Sequence, residues 1–154
     1  MISKRFIFVV VIAFRGMLLS MDNEQRYFFK KEERLTGDKR IENLFIRGKS
    51  FVAYPLRIVY LEKVTQNPEV LEVLVSIPKK RIKSAVNRNR MKRLIRESFR
   101  MNKHILHNVL IGGNRHIEIA FVYVKDELSD FDSIERGMRK ALNEIKKRFE
   151  TGEE

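Results

Sequence analysis

The sequence predicts a single α+β domain, an α/β sandwich with helices packed on a small sheet, and three observations predict it. The 154 residues are 44% hydrophobic, a length and composition that suit one domain with one core. Residues 56–62, 70–77 and 116–124 are short runs rich in β-branched and aromatic side chains. Residues 38–47, 84–104 and the segment from 129 onward repeat apolar residues at helical spacing. The order is αββαβα, and one more short strand near Phe51 completes an αβββαβα pattern.

The first helix spans Asp38 to Arg47, with Ile41, Leu44 and Phe45 at i, i+3, i+4, Thr36 or Asp38 as caps and Gly48 placed to end it. After Pro55, Leu56, Ile58 and Tyr60 alternate with Arg57, Val59 and Leu61, which predicts a strand. The loop from Thr65 to Pro68 turns the chain into Val70 to Ile77, and the two strands are expected to pair as an antiparallel hairpin. Pro78 stops the second strand, and Lys79 to Ser84 lead into a helix capped by Ser84 and running to about Lys103 or His104. On that helix Met91, Leu94, Ile95, Ser98 and Phe99 share one face. Asn89, Lys92, Arg93, Arg96, Arg100 and Lys103 share the opposite one. The stretch from Ile111 to Asn114, with two consecutive glycines, is expected to be a turn or loop. His116 to Val124 carries apolar residues on both faces, as a central strand does. After Ser129 and Asp130, Ile134, Met138, Ala141, Leu142, Ile145 and Phe149 form the stripe of a final amphipathic helix.

The formal net charge is +12, and its location narrows the function. Residues 79–103 hold eleven basic side chains and one acid, Glu97, for a local charge of +10. Residues 1–20 add +3, so the rest of the chain is nearly neutral. A single-sign stripe on a balanced domain points to a polyanionic partner rather than to a solubilising surface. Cysteine is absent, which excludes disulfides, zinc knuckles, iron–sulfur clusters and thiol nucleophiles and suits the cytoplasm. In residues 1–20, Lys4 and Arg5 precede an apolar run from Phe6 to Phe14, too short to span a bilayer. Two readings are open: a membrane-directed segment of signal-peptide outline, or, as favoured here, an over-long gene model with translation starting at Met17 or Met21. The domain is then residues 21–154.

No catalytic constellation is present. The chain has no dinucleotide fingerprint, phosphate-binding P-loop or zincin motif, and its acidic pairs Glu32–Glu33 and Asp130/Asp132 sit where helix starts use them. His104 and His107 lack a carboxylate set at metal-ligand spacing, so no metal site is expected. The basic segment has a physical logic of its own. Arg88, Arg90, Arg93, Arg96 and Arg100 offer planar forks to successive phosphates, while Lys79, Lys80 and Lys83 reach from the preceding loop. Phe45 and Tyr60 are either core residues or stacking surface for unpaired bases.

The stretch from Ser84 to Phe99, with Arg88-Asn89-Arg90 followed by Lys92-Arg93-Leu94-Ile95-Arg96, resembles the protein subunit of bacterial ribonuclease P. The segments Lys30 to Leu35, Phe45 to Gly48, Pro55 to Glu62, Ser76 to Lys80 and Ile119 to Tyr123 agree with it, and the resemblance covers about residues 28–149. It implies a ribosomal-protein-like domain with a left-handed β-α-β crossover, a hand the general rule for crossovers would not suggest. It further implies a subunit without catalytic residues, which assists a catalytic RNA in removing the 5′ leader of precursor tRNA. The RNA would bind the Mg²⁺ ions, and no small-molecule cofactor or membrane partner is implied. By position, Arg88, Asn89, Arg90, Lys92, Arg93, Arg96 and Arg100 would contact the RNA subunit. Phe45, Tyr60, Ser76, Lys79 and Lys80 would line a leader-binding cleft between the Arg-rich helix and the sheet. Two positions depart from the family pattern: Ile41 stands where phenylalanine is frequent and Pro78 where serine is common. Two other classes compete, a general RNA-binding protein and a membrane-surface protein.

Overall fold

The structure is a computed structural model that describes residues 29–63, 70–113 and 115–152, so the expectations for residues 1–20 and for the loop from Thr65 to Pro68 lie outside the described residues. A 3-10 turn at Lys31–Glu33 precedes helix α1 (Asp38–Arg47) and strands β1 (Lys49–Ala53), β2 (Leu56–Lys63) and β3 (Val70–Ser76). Helix α2 (Ala85–Asn102), a second 3-10 turn (Lys103–Leu106) and helix α3 (His107–Gly113) lead to β4 (His116–Tyr123) and α4 (Phe131–Thr151). The expected αβββαβα order holds, with α3 added.

The strand order β1-β2-β4-β3 corrects the expected hairpin. β2 and β3 are not neighbours, because β4 runs antiparallel to β2 and parallel to β3 between them. The physical reason lies in β4, whose residues from Ile117 to Phe121 are all buried and need a partner strand on each edge and cover on each face. The antiparallel hairpin is β1 with β2, turning at a cis Tyr54–Pro55 bond. The parallel β3–β4 pair requires a crossover, and α2 and α3 supply it. The expected loop at Ile111–Gly113 is instead the last turn of α3. Buried Val109 and Leu110 anchor that helix, and packing outweighs the poor helix propensity of two glycines.

Helices cover both faces of the sheet. On one face Leu56, Ile58 and Tyr60 of β2, Ile117, Ile119, Phe121 and Tyr123 of β4 and Val73 of β3 meet Met91, Ile95 and Phe99 of α2 and Ile134, Met138 and Leu142 of α4. Ser84 caps α2 by accepting the Asn87 N–H at 3.3 Å, and Asp130 caps α4 by accepting the Ser133 N–H at 3.0 Å. Leu94, expected in the stripe, is only partly buried at the edge of this core. α4 crosses the β1–β2 turn at Gly137, where a Cβ would come within 2.9 Å of the Tyr54 carbonyl oxygen, so only glycine admits the approach. Gly48 does end α1, but with φ −68° it is needed for space. A Cβ there would lie 2.3 Å from the Leu44 carbonyl oxygen and 2.7 Å from Val59 Cγ1.

On the opposite face α1 covers a smaller cluster, Leu35, Leu44, Val59 and Ala120, with Ile41, Leu61, Leu74 and Val122 packed around it. An ionic network pins α1 at one end of this face. Glu72 and Glu118 stand opposite each other on β3 and β4. Arg40 of α1 bonds to Glu72 and reaches Glu118 Oε1 at 2.6 Å, Lys63 Nζ meets the same oxygen at 2.6 Å, and His116 Nε2 lies 2.9 Å from Glu72 Oε2. Burial alone would raise the pKa of Glu72, but the bonds from Arg40 and His116 outweigh it and hold the carboxyl below the usual glutamate range. The unfolded chain therefore takes up this proton first as pH falls. The contribution of Glu72 is complete above the ordinary glutamate pKa and is lost as pH drops through its lower folded value. In Arg40→Met only the His116 bond still opposes burial, so the Glu72 pKa moves up and the loss of stability in acid is expected to begin at higher pH than in wild type. Denaturant melts between about pH 3 and 7 test this, and superimposable profiles would refute it.

Candidate nucleic-acid interface

α2 divides its side chains as its periodicity predicts. Met91, Ile95, Ser98, Phe99 and Asn102 are buried, while Asn89, Arg90 and Arg93 are exposed and Lys92 and Arg96 are half-exposed. Arg90, Lys92, Arg93 and Arg96 make no ion pair with any acid among the described residues. A charged face left without counter-charges by its own fold is held ready for an external polyanion.

Four cations of the segment are tied into the fold: Arg81 Nη1 meets Asp126 Oδ1 at 2.9 Å, and Arg88, Arg100 and Lys103 make the bonds that follow, although the resemblance places Arg88 and Arg100 at the RNA subunit. Arg88 Nη1 donates to the carbonyl oxygens of Ile82 at 3.0 Å and Lys83 at 2.7 Å, tying the basic loop to the first turn of α2. Arg100 donates Nε and Nη2 to Glu97 at 2.9 and 2.6 Å. The pairing holds the Glu97 carboxyl below its usual range and raises Arg100. Lys103 Nζ meets Glu33 Oε1 at 2.7 Å and fastens the 3-10 turn at Lys31–Glu33 to the end of α2. The Arg100 pair, at i and i+3, was legible from spacing; the Lys103 pair joins residues 70 positions apart and was not.

The five expected leader-contact residues do not form one site. Tyr60 is 5% exposed and faces α4, with Phe51 and Phe149 edge-on at 6.1 and 5.8 Å and Arg148 Nη1 donating to its hydroxyl at 3.4 Å. The core alternative for Tyr60 is the observed one, because strand alternation puts it with Leu56 and Ile58. The expected cleft between the Arg-rich helix and the sheet is also corrected, since the core fills that space. The open surface lies on the opposite face, beside the cluster that α1 covers. There Val52, Arg57, Val122 and Ser76 stand side by side across all four strands, each directly paired with the next. Phe45, 45% exposed on α1, and Ser76 belong to this face. Lys79 and Lys80 are exposed in the turn that follows the Ser76 end of β3. Arg57 and Val122, which share this row with Ser76, were not among the expected residues. Alternation assigns them to the face opposite Tyr60, but which face stays open depends on where α1 docks.

Fold and surface together define a small basic α+β domain built to meet a polyanion. The chain belongs to the ribonuclease P protein family: the family model described as Ribonuclease P matches residues 29–146. It is 44% identical to the ribonuclease P protein component of Porphyromonas gingivalis, over 81% of this chain and 91% of that protein. Identity to the protein component of Chlorobium phaeobacteroides is 30%, over 76% of this chain and 87% of that protein. Two solved structures share the fold. The RNase P protein from Thermotoga maritima has TM-score 0.58 and 22% identity, covering 73% of this chain and 97% of that one. The Staphylococcus aureus RNase P protein has TM-score 0.56 and 21% identity, covering 77% and 99%. The family is the protein component of a tRNA-processing endoribonuclease, with ribonuclease P RNA as its implied partner. Among the described residues no helix is long and apolar enough to cross a membrane.

Proposed function

We propose that this chain is the non-catalytic subunit that helps a catalytic RNA remove the 5′ leader of precursor tRNA in the cytoplasm. Arg90, Lys92, Arg93 and Arg96, with Asn89 beside them, bind the RNA subunit along the outer face of α2. The single-stranded leader lies across the open sheet row, near Phe45 and Ser76, and runs toward Lys79 and Lys80. The observation that carries this reading is the row of α2 cations without acidic partners. Phosphate contacts of this kind position a nucleic acid without reading its sequence, as a partner to many precursor tRNAs requires.

Mg²⁺, if held by the RNA, would supply Lewis-acid chemistry there. The protein's own residues do not fit that ion. The one grouping of three ligating side chains among the described residues is Glu72, His116 and Glu118. Its carboxylates are engaged by Arg40 and Lys63, whereas Mg²⁺ favours oxygen ligands together with several retained waters. The protein instead neutralises phosphates at the junction of RNA and substrate, which lowers the Mg²⁺ needed to bring them together.

The test is cleavage of precursor tRNA by the organism's own catalytic RNA at low Mg²⁺, with and without the full chain. Strong stimulation is expected. Folded protein that binds unrelated RNAs equally well and gives no stimulation would establish a general RNA-binding role instead.

A further inference from the structure

The open row has an uneven composition. Val52, 59% exposed, and half-buried Val122 flank Arg57, an exposed arginine on an inner strand of the sheet. In the next row on the same face, Val59, Ala120 and Leu74 are apolar and belong to the cluster under α1, with exposed Ser50 at the edge strand. Arg57 has no ion pair and no ring contact among the described residues, and the strand acids are engaged elsewhere. Glu62 pairs with Arg115, Glu72 with Arg40 and His116, and Glu118 with Arg40 and Lys63. The aliphatic stem of Arg57 can rest on the two valines, but its charge finds no acidic partner among the described residues. Its value lies in a ligand that brings negative charge together with an apolar face.

We propose that Arg57 is the phosphate anchor of the leader site, its guanidinium gripping one backbone phosphate of single-stranded RNA while the bases on either side rest on Val52 and Val122. This rests on the leader reading above and names the residue that carries it. Arginine suits the role because its planar fork gives two parallel bonds to a phosphate. Valines suit the flanks because contact with a base face tolerates every sequence. Four strands at about 4.8 Å spacing make the row roughly 14 Å long, room for a short stretch of extended single strand. A rigid strand also positions the phosphate more closely than the lysines of the following turn, which are compact charges on flexible stems.

Equilibrium binding by the assembled holoenzyme of precursor tRNA with a leader of several nucleotides, and of mature tRNA without one, tests the assignment. Arg57→Met, which keeps the length and loses the charge, is expected to weaken leader-bearing tRNA about tenfold, as loss of a charge-assisted bond would. It should also flatten the salt dependence of that substrate by about one unit on a log–log plot. Mature tRNA should bind as to wild type. Arg57→Lys, which retains charge without the fork, should recover only part of the loss. Wild-type holoenzyme that binds both tRNAs equally would overturn the leader reading itself. Wild-type discrimination that survives intact in Arg57→Met would overturn only the role of Arg57. Equal weakening of both tRNAs would also refute it, by moving the effect to the fold or the RNA subunit. An Arg57→Lys variant matching wild type in affinity would remove the bidentate grip.

Discussion

Replacing Arg90, Lys92 and Arg93 together with alanine is expected to weaken binding of the catalytic RNA about a hundredfold near physiological salt while leaving the melting temperature unchanged. The size follows from counterion release. Each phosphate neutralised contributes about 0.7–0.9 to the slope of log affinity against log salt, so three lost contacts flatten it by about two to three units. The unchanged melting temperature follows from position. Arg90 and Arg93 are exposed, Lys92 is half-exposed, and none has an acidic partner whose loss would leave a buried charge behind. Affinity measured between about 50 and 200 mM salt, beside thermal melts of the free protein, separates the two readouts. A slope unchanged by the triple substitution would place the RNA on another face. A fall in melting temperature would show that these side chains hold the fold. Arg88 supplies the contrast, since its bonds to the Ile82 and Lys83 carbonyls make Arg88→Ala a change to the loop as well as to the charge.

The face that carries this prediction was legible because it is local. Helical period alone separates Arg93 and Arg96 from Ile95 and Phe99, and one short segment holds nearly all the excess charge. The bounds of α1 and the start of α4 were legible for the same reason, α1 with its stripe and its stop at Gly48 and α4 with its stripe and its Asp130 cap. The open sheet face was not. Whether Tyr60 or Arg57 faces the open surface depends on which face α1 covers, and α1 is fixed there by Arg40 bonding to Glu72 and Glu118, residues 32 and 78 positions away. The pairing of β3 was misread because a short connection after β2 favours a hairpin by proximity, whereas β4, with two faces to bury, takes the central place. Local pattern identifies the elements. The long-range competition for the middle of the sheet decides which of their residues remain in solvent.

The buried side of α2 gives the other large effect. Phe99 is wholly buried between Phe29, edge-on at 5.8 Å, and Phe121, tilted at 5.7 Å, where β4 passes beneath the helix. Phe99→Ala empties that site and is expected to cost about 3–5 kcal/mol. Ile95→Ala, one helical turn earlier and also wholly buried, should cost about 2–5 kcal/mol. Leu94→Ala should cost clearly less, because Leu94 lies at the edge of the core and loses less contact on truncation. Denaturant midpoints at constant slope measure all three, and a loss for Leu94 as large as that for Ile95 would place it inside the core. Function distinguishes this side of the helix from the other. On the proposed function, RNA that binds the folded protein alone adds roughly 2.7 kcal/mol to the folded state at about 100 times its Kd. Raising the RNA concentration should therefore restore much of the cleavage lost by Phe99→Ala and leave the salt slope as in wild type. The Arg90/Lys92/Arg93 variant also gains occupancy with more RNA but keeps its flattened slope, because the missing phosphate contacts do not return. A Phe99→Ala slope as flat as that of the triple variant would mean that the core of α2 shapes the RNA contact directly, and not only the fraction of chains that are folded.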